Sequence, residues 1–391
     1  MIMKTSAVGS FFKKYTMILA LVVVAVFFSI TTQGRILFPQ NINNLISQNG
    51  YVFVLAAGML CCILTGGNID LSVGSVVCFT GAIGAVIMQA GGNMWVAVAV
   101  MLLSGLAIGA FQGFWIAWVH VPPFIATLAG MYTFRGLSNV VLQGYAVDIA
   151  NEGFKNVFGG GANCYVPDFI GKGSTLNMTC LIAGIAVAVI YVLLTVRKLA
   201  VQKKMGILHS TTPDIIRTAV ICVIVVWISF KLASYKGIPS VLIWIAAVLL
   251  IYNYVTSKTA IGRHLYAVGG NEKATRLSGV NTRLVYFIAY ANMGMLAALA
   301  GILTVARATS AQPTYGQGYE MDAIASCFIG GASAYGGTGK IAGVIIGATL
   351  MGLINQGMSI MGIEANYQRV VKGIVLLLAV MFDVLSKKQK R

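Results

Sequence analysis

The sequence predicts an all-α polytopic membrane bundle of about twelve transmembrane segments, ten to twelve being compatible with it, with the N- and C-termini cytoplasmic. Three observations point there. Of 391 residues, 58% are hydrophobic and 9% charged, against about 25% charged in soluble domains, and mean hydropathy is +0.86. The apolar residues come in unbroken runs close to the ~20 residues a helix needs to cross a bilayer, without the alternation of a membrane β-barrel. The basic residues are clustered between particular runs. About twelve crossings use ~240 positions, which leaves loops and tails and excludes a large soluble enzyme domain.

The runs place spans near 16–33, 50–66, 71–90, 94–118, 122–144, 175–195, 216–233, 239–256, 284–307, 319–335, 337–360 and 366–385. Counting from a cytoplasmic start puts 196–215, 257–283 and the C-terminal tail on the same side. The basic clusters fall there: Lys4, Lys13 and Lys14 before the first run, Arg197, Lys198, Lys203 and Lys204 in one interval, Lys258, Arg263, Lys273, Arg276 and Arg283 in another, and Lys387, Lys388, Lys390 and Arg391 at the end. Parity and the positive-inside rule therefore agree. The net charge of +17 is read as an orientation signal in contact with lipid, not as a nucleic-acid surface, since no basic cluster is interleaved with stacking aromatics. The runs 71–90 and 319–335 begin at carboxylates and are rich in Gly or Ser, so either is expected as a whole span or as a broken or re-entrant element.

The whole of 1–391 reads as a single transmembrane domain, with 145–174 as its extracytoplasmic loop and 257–283 as a cytoplasmic loop. The first run lacks a convincing small-residue cleavage site after it and reads as a retained anchor. Gly105, Gly109 and Gly113 recur at steps of four, which lets helix backbones approach closely. Six of the seven cysteines sit in apolar runs without ligand-like spacing, so they read as small core residues and no metal site is expected.

Ionisable groups in a span are costly enough to count as functional candidates. Four stand out: Asp70, Arg135, Glu320 and Asp322. Asp70 lies in GGNIDLSVGS (66–75), where Asp70 or Ser72 can cap the next helix. Arg135 lies about 13 Å along a helix that starts at the Pro122-Pro123 pair, placed there either to snorkel or pair, or to face a pathway. Glu320 and Asp322 open a helix whose positive end favours acids. The Gly-rich stretch after them is not a phosphate loop: Ala334 stands where the first Gly is needed, and Ile341 follows Lys340 instead of Ser or Thr. No other segment supplies one, so no cofactor is expected on this chain and it does not hydrolyse ATP alone.

The cytoplasmic stretch GRHLYAVGGNEKATRLSGVNTR (262–283) is the most specific. After Gly269 and Gly270, Asn271 can cap a short helix through Leu277, and Gly279 suits its stop. Ala274 and Leu277 share one face, with Glu272, Lys273 and Arg276 around it. Such a helix is marginal alone, so it is expected to dock on a partner.

The segments GGNIDLSVGS (66–75), PPFIATLAGMYTFRG (122–136), GRHLYAVGGNEKATRLSGVN (262–281) and EMDAIASCFIGGASAYGGTGKIAG (320–343) resemble the permease subunits of bacterial ribose- and xylose-type ABC sugar importers, in the same order along nearly the whole chain. The extra hydrophobic pair around 175–256 is most similar to the xylose, or multiple-monosaccharide, branch. The chain departs from the pattern at Pro123, His264 and Lys340. The resemblance implies a multi-pass protein of the bacterial plasma (inner) membrane. It implies a permease pair, expected as a homodimer, with an ATP-binding subunit docked inside on residues 269–279 and an extracytoplasmic sugar-binding protein outside. ATP would be used by the partner. A neutral sugar needs hydrogen-bonding groups in its path more than counter-charges, and the candidates are Asn68, Asp70, Ser72, Gln112, Arg135, Glu320, Asp322 and Asn355. The alternative is a secondary sugar transporter driven by an ion gradient through Asp70, Glu320 or Asp322. A membrane enzyme fits least, since His120, His209 and His264 stand in no catalytic-looking motif.

Overall fold

A computed structural model describes residues 7–171, 175–205 and 212–388. A helix stands at each of the twelve expected positions: α1 (Ala7–Thr31), α3 (Gly50–Leu64), α4 (Val73–Gln89), α5 (Met94–Ala117), α6 (Pro123–Leu142), α8 (Met178–Lys204), α9 (Thr212–Ala233), α10 (Ser240–Lys258), α13 (Thr282–Ala308), α14 (Tyr319–Ile329), α15 (Ile341–Ile360) and α16 (Ala365–Lys388). Four shorter α-helices lie between them, α2 (Pro39–Gln48), α7 (Glu152–Phe158), α11 (Ala260–Gly270) and α12 (Glu272–Leu277), with one 3-10 turn at Arg35–Leu37. Among the described residues, six helices, α5, α8, α9, α10, α13 and α15, are long and apolar enough to cross a membrane by themselves. The pair α2 and α3, bent by 41°, makes a seventh candidate.

The centre of the bundle is α3 against α13. All fifteen residues of α3 are buried, as a helix apolar on every side requires, and α13 runs beside α3, α4 and α5. The stripe on α5 is the seam to α13: a methyl at Gly105 would overlap the Gly294 carbonyl, one at Gly109 the Tyr290 carbonyl, and Gly113 faces Phe287. In lipid, where hydrophobic burial does not distinguish helix from tail, such close packing is the main source of helix association. The hairpin of α8 and α9 lies outside this centre. Val187, Leu193 and Val223 there are more than half exposed, which suits surfaces that lipid covers.

The run 319–335 is not one helix. The α14 helix has 11 residues, about 16 Å, well short of the ~30 Å hydrocarbon core. It ends at Ile329 where Gly331 turns the chain at φ 81°, and Gly330 lies so close to Gly343 on the returning α15 that a methyl there would overlap the Gly343 carbonyl. The chain closes the turn with Ser333 N–H on Thr338 C=O before α15 starts. The run 71–90 is helical from Val73, but residues 65–72 before it are not.

The 145–171 segment is structured. Val147–Asp148 (β1) pairs antiparallel with Ser310–Ala311 (β2). Asn151 caps α7, whose Phe154 and Phe158 are buried. At the other end of the bundle, residues 257–270 belong mostly to helices α10 and α11, a helical approach to α12 that the composition of that loop does not announce.

Candidate functional site

Beyond Leu64 the chain doubles back. Thr65 Oγ donates to the Cys62 carbonyl at 2.7 Å, Gly66 and Gly67 take φ of 129° and 77°, and residues 68–72 return alongside α3 until the Asp70 N–H meets Met59 Sδ at 3.5 Å. Asp70 and Ser72 are buried. Asp70 Oδ1 accepts from the Ser72 amide at 2.8 Å and from its hydroxyl at 2.7 Å. That hydroxyl in turn accepts from Gln112 Nε2 at 2.9 Å. The expected cap is corrected here: Ser72 sits at the N-cap position of α4 but makes no side-chain cap bond, because its hydroxyl is committed to Asp70 and Gln112.

Gln112 also faces Gly130 of α6, where a methyl would displace its amide. Both line a cavity of about 290 Å³ with Phe111, Trp115, Thr133 and Phe134. Its size is at the lower edge of small-molecule pockets, roughly 300–1,000 Å³. The remaining lining, Val121, Ile125, Ala126 and Ala129, is apolar, and Phe111 and Trp115 are exposed at its mouth. Arg135, the next residue on α6, donates from Nη1 to the carbonyls of Pro313 at 3.2 Å and Tyr315 at 2.6 Å. It thus holds the 312–316 loop across α6 and α4, where Gly316 abuts Gly74 and the Glu320 carboxylate faces the same glycine.

Asp322 and Asn355 form a separate group. Asp322 is fully buried, and its Oδ2 accepts from Tyr51 Oη at 2.6 Å, from Lys372 Nζ at 2.9 Å and from Asn355 Nδ2 at 3.4 Å. Asn355 Nδ2 also donates to Asn49 Oδ1 at 3.1 Å. Asn68 stands apart again. Its amide bonds Thr65, and it lies against the Tyr286 hydroxyl, whose proton goes to Glu272 Oε2 at 3.0 Å. The eight pathway candidates are thus distributed over the Asp70–Ser72–Gln112 cluster, the Arg135 and Glu320 strap, the Asp322–Asn355 group and Asn68 beside α12.

The α12 helix has the expected form. Asn271 Oδ1 accepts from the Ala274 amide at 2.9 Å, Gly279 ends the turn at φ 88°, and Thr275 is buried while Ala274, Arg276 and Leu277 face outward. Leu277 is 89% exposed. At the opposite end Asp168 anchors the start of α8. The Gly171 amide, with the Thr179 hydroxyl and the amides of Ile170 and Met178, holds its carboxyl well below the usual range.

Lys372, Tyr51 and Tyr286 are site residues that the sequence reading omitted. Lys372 carried the same signal that singled out Arg135, an ionisable side chain inside an apolar run. The tyrosines carried none, because their partners are more than ten residues away in sequence.

The family model described as "Branched-chain amino acid transport system / permease component" matches residues 41–380. The xylose transport system permease protein XylH of Haemophilus influenzae is 36% identical over 381 residues, 96% of this chain and 97% of that protein. XylH of Escherichia coli is 33% identical over 377 residues, covering 96% and 92%. The ribose import permease protein RbsC of Escherichia coli is 38% identical over 349 residues, covering 89% and 86%. No solved structure matches the chain.

Proposed function

We propose, for a chain that belongs to the branched-chain amino acid transport system / permease component family, a division of labour between its two ends and its centre. The chain is the multi-pass transmembrane permease of a bacterial ABC monosaccharide importer of the xylose and ribose type, and it is not an enzyme. On our reading it crosses the membrane twelve times with both termini in the cytoplasm and works as a pair of identical copies in contact with lipid. The 145–171 end receives a sugar-binding protein from outside. The α12 end carries an ATPase subunit that binds and hydrolyses the ATP. Between them the sugar passes Asp70, Ser72, Gln112 and the aromatic cavity, with Arg135, Glu320, Asp322, Asn355 and Asn68 holding the surrounding segments.

The observation that carries this reading is Leu277. Leu277 is 89% exposed, the most exposed large apolar side chain among the described residues, and it stands beside the exposed Ala274 on a short helix capped by Asn271, a pairing that we read as the face a partner covers. Xylose and ribose are the first substrates to test, because the relatives named for them align over most of their length. Reconstitution in vesicles with and without the ATPase and the binding protein tests the whole assignment. Sugar should accumulate only when all components and ATP are present. Uptake by this chain alone under a proton or sodium gradient would establish the secondary-transporter mechanism instead.

A further inference from the structure

Two glycine pairs, Gly269 with Gly337 and Gly66 with Gly336, and the contact of Gly67 with Ala334 bring distant parts of the chain together at the end of α11, the helix that leads into α12. Gly269, in the last turn of α11, lies against the Leu64 carbonyl and the Gly337 amide, so closely that a methyl at 269 would overlap both. Gly337 donates its amide to that same Leu64 carbonyl at 3.1 Å. A methyl at Gly67 would overlap the Ala334 carbonyl, and one at Gly336 would overlap Gly66. Backbone therefore meets backbone at three places, and no flexible side chain lies between them to absorb a displacement. Packed interiors of this kind transmit movement because they do not compress.

A polar chain runs beside the junction. Glu272 on α12 accepts from Tyr286 on α13 at 3.0 Å, and the Asn68 side chain lies against the same hydroxyl. Tyr266 of α11 donates to the Gly339 carbonyl at 2.7 Å, tying the helix that precedes α12 to the 330–340 turn. Both the steric and the polar contacts converge on residues 64–68. The next residues along the chain are Asp70 and Ser72, which hold Gln112.

We propose that this glycine junction, with the Glu272–Tyr286 hydrogen bond beside it, is the positioning device that passes movement of α12 to the Asp70–Ser72–Gln112 cluster. The proposal rests on the assignment of α12 as the ATPase contact. It makes Gly67, Gly269, Gly337 and Tyr286 residues that set how much sugar moves per ATP, without touching either ligand.

Gly269 and Gly270 provide a matched pair for the test. They are neighbours at the end of α11, but a methyl at 270 meets nothing within 4 Å. Alanine is favoured over glycine in a helix at both positions. The measurement is labelled xylose or ribose taken up per ATP hydrolysed by the complete importer in vesicles, with co-purification of the ATPase recorded in parallel. Gly269→Ala should retain the ATPase and its hydrolysis while uptake per ATP falls roughly two- to thirtyfold, and Gly270→Ala should match the wild type. A wild-type ratio for Gly269→Ala, equal losses at both positions, or loss of the ATPase by Gly269→Ala alone would overturn the proposal. If Gly269→Ala does not accumulate in membranes, Tyr286→Phe decides: a lowered ratio supports the junction and an unchanged ratio overturns it. Failure of the underlying assignment looks different, since Leu277→Asp would then leave co-purification intact.

Discussion

Lys372 Nζ lies 2.9 Å from Asp322 Oδ2, a charge pair that joins α16 to α14 where the carboxylate has no access to solvent. Tyr51 and Asn355 bring α3 and α15 to the same oxygen. Removing one member leaves a buried charge, at a cost of about 3–5 kcal/mol, whereas replacing both can be close to neutral. Lys372→Met should therefore lower the unfolding temperature in detergent sharply, and adding Asp322→Asn should recover much of the loss. Additive losses in that double-mutant cycle would show that the pair does not join these helices.

Asp70 is expected to act by holding Ser72 and not by carrying a proton. Its Oδ1 accepts both Ser72 donors, and charge-assisted bonds of this type contribute about 1.5–3 kcal/mol. Asp70→Asn should reduce sugar uptake by about tenfold or more with the shape of its pH profile unchanged. Uptake measured across pH 5.5–8 with and without an imposed proton gradient checks this, and a dependence on the gradient that Asp70→Asn abolishes would identify Asp70 as a proton carrier.

The positions of the helices were legible in the sequence because apolar runs of bilayer length register a constraint imposed by lipid on every crossing. That 319–335 could be broken was legible from its Gly and Ser content, but the break after Ile329 was not, since it falls where Gly330 meets Gly343, a residue in another helix. The cap at Asn271 was also legible, because donor and acceptor are three residues apart. The Asp322 group was half legible: the acid stood out as an ionisable residue in a span, but Tyr51, 271 residues away in sequence, comes to it only through the packing of α3 on α14. Asn68, Asp70 and Ser72 looked like one site in the sequence. All three follow the turn at Gly66 and Gly67, but their side chains diverge, Asn68 turning back to Thr65 while Asp70 and Ser72 go on to Met59 and Gln112.

Orientation can be read by cysteine labelling in a chain with Cys222, the one native cysteine that is not buried, replaced by serine. An impermeant maleimide should label Asn163→Cys in intact spheroplasts and should label Leu277→Cys, or a cysteine added after Arg391, only after permeabilisation. Both positions 163 and 277 are exposed, so accessibility within the fold does not decide the outcome. Labelling of Leu277→Cys in sealed cells would invert the topology.

Asp168 gives its contacts with Ile170, Gly171, Met178 and Thr179 an acid sensitivity of defined sign. The Gly171 amide and the bonds that follow it depress the pKa in the folded chain. The stabilisation is therefore complete above the ordinary aspartate value of about 3.9 and is lost as pH falls through the lower folded value. Hydrogen exchange at Gly171 and Met178 should remain slow, relative to the intrinsic rate, down to about pH 4, while Asp168→Asn should speed it already at neutral pH. Loosening of the wild-type segment near neutrality would contradict the assignment.

The contact made by α12 is the claim on which the account of energy coupling depends, and Leu277→Asp tests it most directly. The substitution places a charge on a residue 89% exposed in the permease, so the permease itself should insert and fold as before. Co-purification of the ATPase subunit, with sugar-stimulated ATP hydrolysis measured on the same sample, should be lost or strongly reduced for Leu277→Asp, and weakened for Glu272→Arg. Wild-type assembly and stimulated hydrolysis in both variants would show that the ATPase is held elsewhere.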